Sequence, residues 1–196
     1  MTCVSTHLKY YMSVNFQVKS LKSDDGMETV WSKLVSRAVR VALARRDISY
    51  AQLAAELAKL GVTESARSVE GKVQRGTFRF SFFLQTLAAS NADCPAQWIQ
   101  ALSAPAAWEK RAATVLATEL SQQPWLSLSG LAHRLEEIGV AIPLETLSAQ
   151  TADGTFSAAF FLQCATVCRF DSVHRFLDVS SMNSAALAGA SNHSTP

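Results

Sequence analysis

The chain repeats itself, and that repeat limits its possible folds more than any compositional property. LAAELAKLGV at Leu53–Val62 returns as LAHRLEEIGV at Leu131–Val140, and GTFRFSFFLQ at Gly76–Gln85 returns as GTFSAAFFLQ at Gly154–Gln163. From Ser49 to Ser90 the offset is 78, and 13 of 42 positions are identical: Ser49, Leu53, Ala54, Leu57, Gly61, Val62, Gly76, Thr77, Phe78, Phe82, Phe83, Leu84 and Gln85. Two apolar helices matched by chance would not carry Gly, Thr, Phe and Gln in the same order. The segment is therefore read as a duplicated domain. Upstream, Trp31 and Leu43 return as Trp108 and Leu120 at an offset of 77, which places a one-residue insertion around Gln122–Trp125.

Each copy reads as helical. Trp31, Leu34, Val35, Ala38, Val39, Ala42 and Leu43 recur at the three-four spacing of one helix face. Ser49 with Gln52 three residues on predicts a capping box at the start of a second helix, buried through Leu53, Ala54, Leu57 and Leu60 and stopped at Gly61. A third helix is expected over Glu64–Arg75, with Ala66, Val69 and Val73 inward and Gly76 as its stop, and a fourth from about Ser81. Nothing alternates convincingly enough for a strand. The expected class is all-α: two tandem small helical domains of helix-turn-helix type. The first, basic copy covers 28–92 and the second, acidic copy 108–180. Residues 93–107 are expected as a linker with a short helix at Pro95–Leu102. A last helix is expected over Asp171–Val179. Residues 1–27 are weakly patterned, and the Ser/Ala/Asn-rich stretch 181–196 is expected to be a disordered tail.

Several function classes are disfavoured. The chain has 196 residues, 18 Lys+Arg and 16 Asp+Glu, so it is no histone-like polycation. Four scattered cysteines do not make a disulfide scaffold, and no apolar run approaches the roughly 20 residues of a membrane span. No secretory leader pattern is present in the first thirty residues, so a cytoplasmic protein with no membrane partner is expected. The histidines form no Ser/Asp pairing that suggests a triad, and there is no glycine-rich phosphate loop. Cys164, Cys168 and His174 fall short of a zinc site, because Cys3 and Cys94 lie in no matching pair and the first copy has Thr86 and Ser90 at the equivalent places. No enzyme activity, cofactor or metal is expected. The phenylalanine blocks are read as core, with Phe80 partly exposed because it faces Ala158 in the other copy.

The second and third helices carry the functional signal. With Ala66, Val69 and Val73 inward, Arg67, Gly71, Gln74 and Arg75 point most directly outward, Ser68 and Glu70 lie beside them, and Lys72 falls nearer the flank. Arg can donate two bonds to a guanine edge and Gln can pair with adenine. The alternative is a merely solvated polar face. The LAAELAKLGV segment, the polar helix and the RGTF and SFFLQ blocks resemble the bacterial domain-of-unknown-function family 6471, over roughly residues 31–90 and 108–170. That family is small and helical and is similar to the Cro/repressor type of helix-turn-helix. The resemblance implies a fold and no established activity.

Charge separates the copies. Residues 31–90 hold ten Lys+Arg against four Asp+Glu, and residues 108–171 hold four against seven, for net charges of +6 and −3. On the outward face Arg67 becomes Glu145, Gly71 becomes Ala149, Gln74 becomes Ala152 and Arg75 becomes Asp153. Phosphate neutralisation supplies much of any DNA affinity, so the first copy is the candidate reader of duplex DNA and the second is not. Arg67, Ser68, Gly71, Gln74 and Arg75 are expected at bases, with Lys72, Arg79, Arg45 and Arg46 at the backbone. The second copy is expected to serve a homodimer, the first copy or a protein partner. The rival expectation is a non-enzymatic adaptor or anti-regulator that binds protein and no DNA.

Overall fold

The computed structural model describes residues 22–193. Its α-helices are α1 (Lys22–Ala44), α2 (Tyr50–Lys59), α3 (Ala66–Arg75), α4 (Phe80–Ala89), α5 (Ala96–Ser103), α6 (Trp108–Leu120), α7 (Leu128–Glu136), α8 (Leu144–Asp153), α9 (Ala158–Cys168) and α10 (Val179–His193), with a 3-10 turn at Asp171–Arg175. No strand occurs among the described residues, and no helix there is long and apolar enough to cross a membrane. The all-α expectation holds.

Local chemistry explains most helix ends. Ser49 accepts from the Gln52 amide at 3.3 Å while the Gln52 side chain accepts from the Ser49 amide at 2.9 Å, closing the capping box. Ser65 caps α3 through the Ser68 amide at 3.2 Å. α3 and α8 both end on a left-handed glycine, Gly76 (φ 67°) and Gly154 (φ 70°). These glycines also meet the repeat's first helix. A Cβ on Gly76 would fall 1.9 Å from the Ser32 carbonyl oxygen, and one on Gly154 would fall 1.8 Å from that of Glu109.

The copies are not independent beads. α1 of the first copy packs on α9 of the second, and α4 of the first packs on α6 of the second. An antiparallel bridge at Arg79–Ser157 lies between them: the Phe80 amide donates to the Phe156 carbonyl at 3.1 Å and the Ala158 amide to the Phe78 carbonyl at 2.9 Å. At the offset of 78 each of these bonds is the image of the other, so a pseudo-twofold axis passes through the bridge. The aromatic core obeys the same axis. Phe83 meets Phe176 edge-on with centroids 5.4 Å apart, and its counterpart Phe161 meets Trp98 edge-on at 5.5 Å. One hydrophobic core runs through both copies.

Five expectations need correction. Leu60, expected on the buried face of α2, is exposed beyond its end, and the helix expected over Asp171–Val179 is the 3-10 turn Asp171–Arg175 followed by α10 from Val179. The 93–107 linker belongs to the core: Trp98 on α5 is fully buried, stacks near Phe176, and donates its indole N–H to the buried Glu119 carboxylate. Phe80 is also buried, stacked on Phe161 at 3.8 Å, because the dyad turns the position facing Ala158 inward. The segment expected to be a disordered tail forms α10 as far as His193, with Met182 and Ala185 buried against α1 and α9. Its small residues permit close helix approach, and Arg37 fastens its start through Asp178 (3.2 Å) and Ser181 (3.0 Å). The expected N-terminal segment 1–27 lies outside the described residues except for 22–27, where α1 begins.

Candidate nucleic-acid interface

Val69 and Val73 are fully buried, which orients α3 as its periodicity predicts. Arg67, Ser68, Gln74 and Arg75 are exposed on its outer side, while Gly71 and Lys72 are half-buried. The Arg67 and Arg75 guanidiniums make no ion pair or hydrogen bond among the described residues. Ser68 and Gln74 are engaged by nearby carboxylates, one just ahead of α3 and one within it. Ser68 donates to Glu64 at 2.9 Å, and Gln74 donates to Glu70 at 3.1 Å.

Other predicted contacts are not placed as expected. Lys72 pairs with Glu64 and lies 4.8 Å from the Phe82 ring centroid, so its charge is held against the body of the copy. Gly71 is covered only by the Arg75 side chain, whose guanidinium nitrogen comes within 3.2 Å of where a Cβ would stand. Arg45 and Arg46 are exposed but sit just beyond the end of α1. That end is ~18 Å along the helix from Ser32, the residue that meets Gly76. Arg45 donates to the Arg175 carbonyl instead. Arg79, exposed, stands on the dyad opposite Ser157.

Exposed Lys33 was missed as a candidate, although it follows the Ser32–Gly76 contact and so lies at the Arg75 end of α3. Its only sequence signal was its place off the buried stripe of α1. The gathered basic set is therefore Arg67, Arg75, Arg79 and Lys33. Across the dyad the equivalent α8 positions carry exposed Glu145, Ala152 and Asp153.

No group of three or more His, Cys, Asp or Glu side chains that could hold a metal occurs among the described residues. Burial pushes the Cys94 thiol up to about 11 and also raises Cys164 and Cys168, so these thiols are poor nucleophiles near neutral pH.

The profile of a domain of unknown function (DUF6471) matches residues 31–94 and again 108–173. The chain belongs to the DUF6471 family. No curated protein and no solved structure matches it. The first match stops at residue 94, just before α5, and the second at residue 173, within the 3-10 turn, so both end short of Trp98 and Phe176, which correspond at the offset of 78 and stack together in the shared core. The two DUF6471 copies thus share a scaffold while presenting opposite charge on α3 and α8.

Proposed function

We propose that the first DUF6471 copy binds duplex DNA, with α3 set toward the major groove and the α2–α3 pair acting as a helix-turn-helix. The observation that carries this reading is the pair of exposed guanidiniums, Arg67 and Arg75, left without an anionic partner in a molecule whose other half is acidic. Gln74 adds an amide that can leave Glu70 for an adenine edge, as Asn and Gln do in base readout. Lys33 and Arg79 supply phosphate contacts at the C-terminal end of the helix. The six-residue connection Leu60–Ser65 is longer than the usual three to four residues, and it sets α3 apart from a minimal motif.

The test is fluorescence anisotropy of a labelled mixed-sequence duplex at two salt concentrations. With about four phosphate or base cations, log affinity should fall with log salt at a slope near −3 to −4, about 100-fold between 50 and 200 mM. Arg67→Ala/Arg75→Ala should abolish measurable binding while leaving the melting temperature unchanged. No binding by the unaltered protein at low salt would overturn the reading.

A second reading, a protein-binding adaptor, is favoured by one feature of the second copy. Where the first copy has Glu64, Ser65 and Ala66, the second has Ile142, Pro143 and a Leu144 that is 49% exposed. These residues line a groove of about 610 Å³ between α7 and α8, with Glu136 and His133 also lining it. Salt-tolerant association that survives the double arginine variant would favour this reading over the first.

A further inference from the structure

The internal dyad bears on the kind of DNA site, and the inference rests on the DNA-binding reading above. Two-fold regulators present two equal recognition helices to two half-sites, and the palindrome of the operator mirrors the symmetry of the protein. In this chain the two-fold partner is already covalently present. The surfaces that join the copies are used up: on α4, Phe80 to Leu84, Thr86, Leu87 and Ala89 are buried, as are Ala158, Phe160 to Leu162, Cys164, Ala165 and Cys168 on α9. A second molecule finds no free equivalent of that interface.

Charge then breaks the symmetry that the backbone keeps. The C-terminal ends of α3 and α8, at Arg75 and Asp153, are each four residues from the bridging residues Arg79 and Ser157, so each lies within about 14 Å of the dyad. A duplex that occupied the dyad-related positions on both copies would bring its phosphates to Asp153 and Glu145, the counterparts of Arg75 and Arg67. The cationic strip ends at Arg79, whose image is the neutral Ser157.

We infer that one molecule of this protein occupies one asymmetric half-site, and that the acidic α8 face excludes DNA from the dyad-related position. The recognised core is about 4–5 base pairs, the length of duplex spanned by a ten-residue helix of roughly 15 Å. The target carries no inverted repeat.

Selection from a randomised duplex library with the full chain, followed by footprinting and sedimentation of the complex, tests this. The expected result is a single short motif bound one chain to one duplex. Two variants probe the dyad through exposed side chains only, with their folding checked by thermal melting. Glu145→Gln/Asp153→Asn should raise affinity severalfold and extend the footprint past the motif on one side. Glu145→Arg/Ala152→Gln/Asp153→Arg, which copies the α3 face onto α8, should bind an inverted repeat of the motif at least tenfold tighter than a single copy when half-site spacing is varied. A selected palindrome bound by two unaltered chains, or no gain by either folded variant at any spacing, would overturn the inference while leaving DNA binding intact. Absence of any DNA binding by the unaltered chain would instead remove the reading on which it rests.

Discussion

Gly76 and Gly154 illustrate how a residue can be recognised from sequence while its main role stays hidden. Gly76 is placed as a helix stop by its position after a polar helix, Gly154 is its counterpart in the repeat, and both adopt positive φ. The contact with Ser32 or Glu109 leaves no room for a methyl group, yet nothing in a one-dimensional pattern reports which backbone lies across the helix end. Replacing either by Ala combines left-handed strain with a collision against a backbone carbonyl. Each substitution should lower the unfolding free energy by at least about 2 kcal/mol, measured by urea denaturation, with a similar loss at the two sites because the dyad makes their surroundings equivalent. At the candidate interface, the outward direction of Arg67, Gln74 and Arg75 was readable from helical periodicity. The capture of Lys72 by Glu64 eight residues earlier was not, since that pair spans the α3 N-terminus instead of sharing the regular three-four spacing.

Among the elements, those with strong local signals were readable. The α1 stripe, the Ser49–Gln52 box and the two glycine stops all rest on interactions within one or two turns. α10 had no such signal, because its Ser, Ala and Asn residues carry little hydrophobic drive of their own. Its order comes from burying Met182 and Ala185 and from Asp178, which accepts from the Ser181 amide at 2.7 Å and from its hydroxyl at 2.9 Å. The Ser181 amide and hydroxyl, with a smaller contribution from Arg37, hold the Asp178 carboxyl below its ordinary range. A carboxyl depressed in the folded state stabilises above its unfolded pKa, near 4, and loses that contribution as pH falls through the folded value. Amide exchange over residues 179–190 should therefore quicken relative to α9 as pH is lowered below the ordinary carboxyl range and through the depressed folded value, after correction for intrinsic rates. Asp178→Asn should remove most of that pH dependence. Equal protection of α10 in both proteins across the range would contradict this account of its cap.

For the whole molecule, the crossed packing of α1 on α9 and α4 on α6 joins the copies more tightly than a tandem array would. Each copy completes part of its core with the other, since Phe80 and Trp98 of the first half pack on Phe161 and Phe176 of the second. Calorimetry should show one unfolding transition with equal calorimetric and van't Hoff enthalpies, whereas two separable transitions would mean autonomous domains. Duplication, helical class and opposite charge were all written in the amino-acid order, because repeat identity, periodicity and net charge survive without knowledge of neighbours. Tertiary structure alone decided that the copies interlock about a dyad, that the presumed linker and tail are parts of the body, and that Arg79 rather than Lys72 is left exposed. Those outcomes depend on which distant surfaces meet, and burial at such contacts is a property of pairs of segments that no single segment encodes.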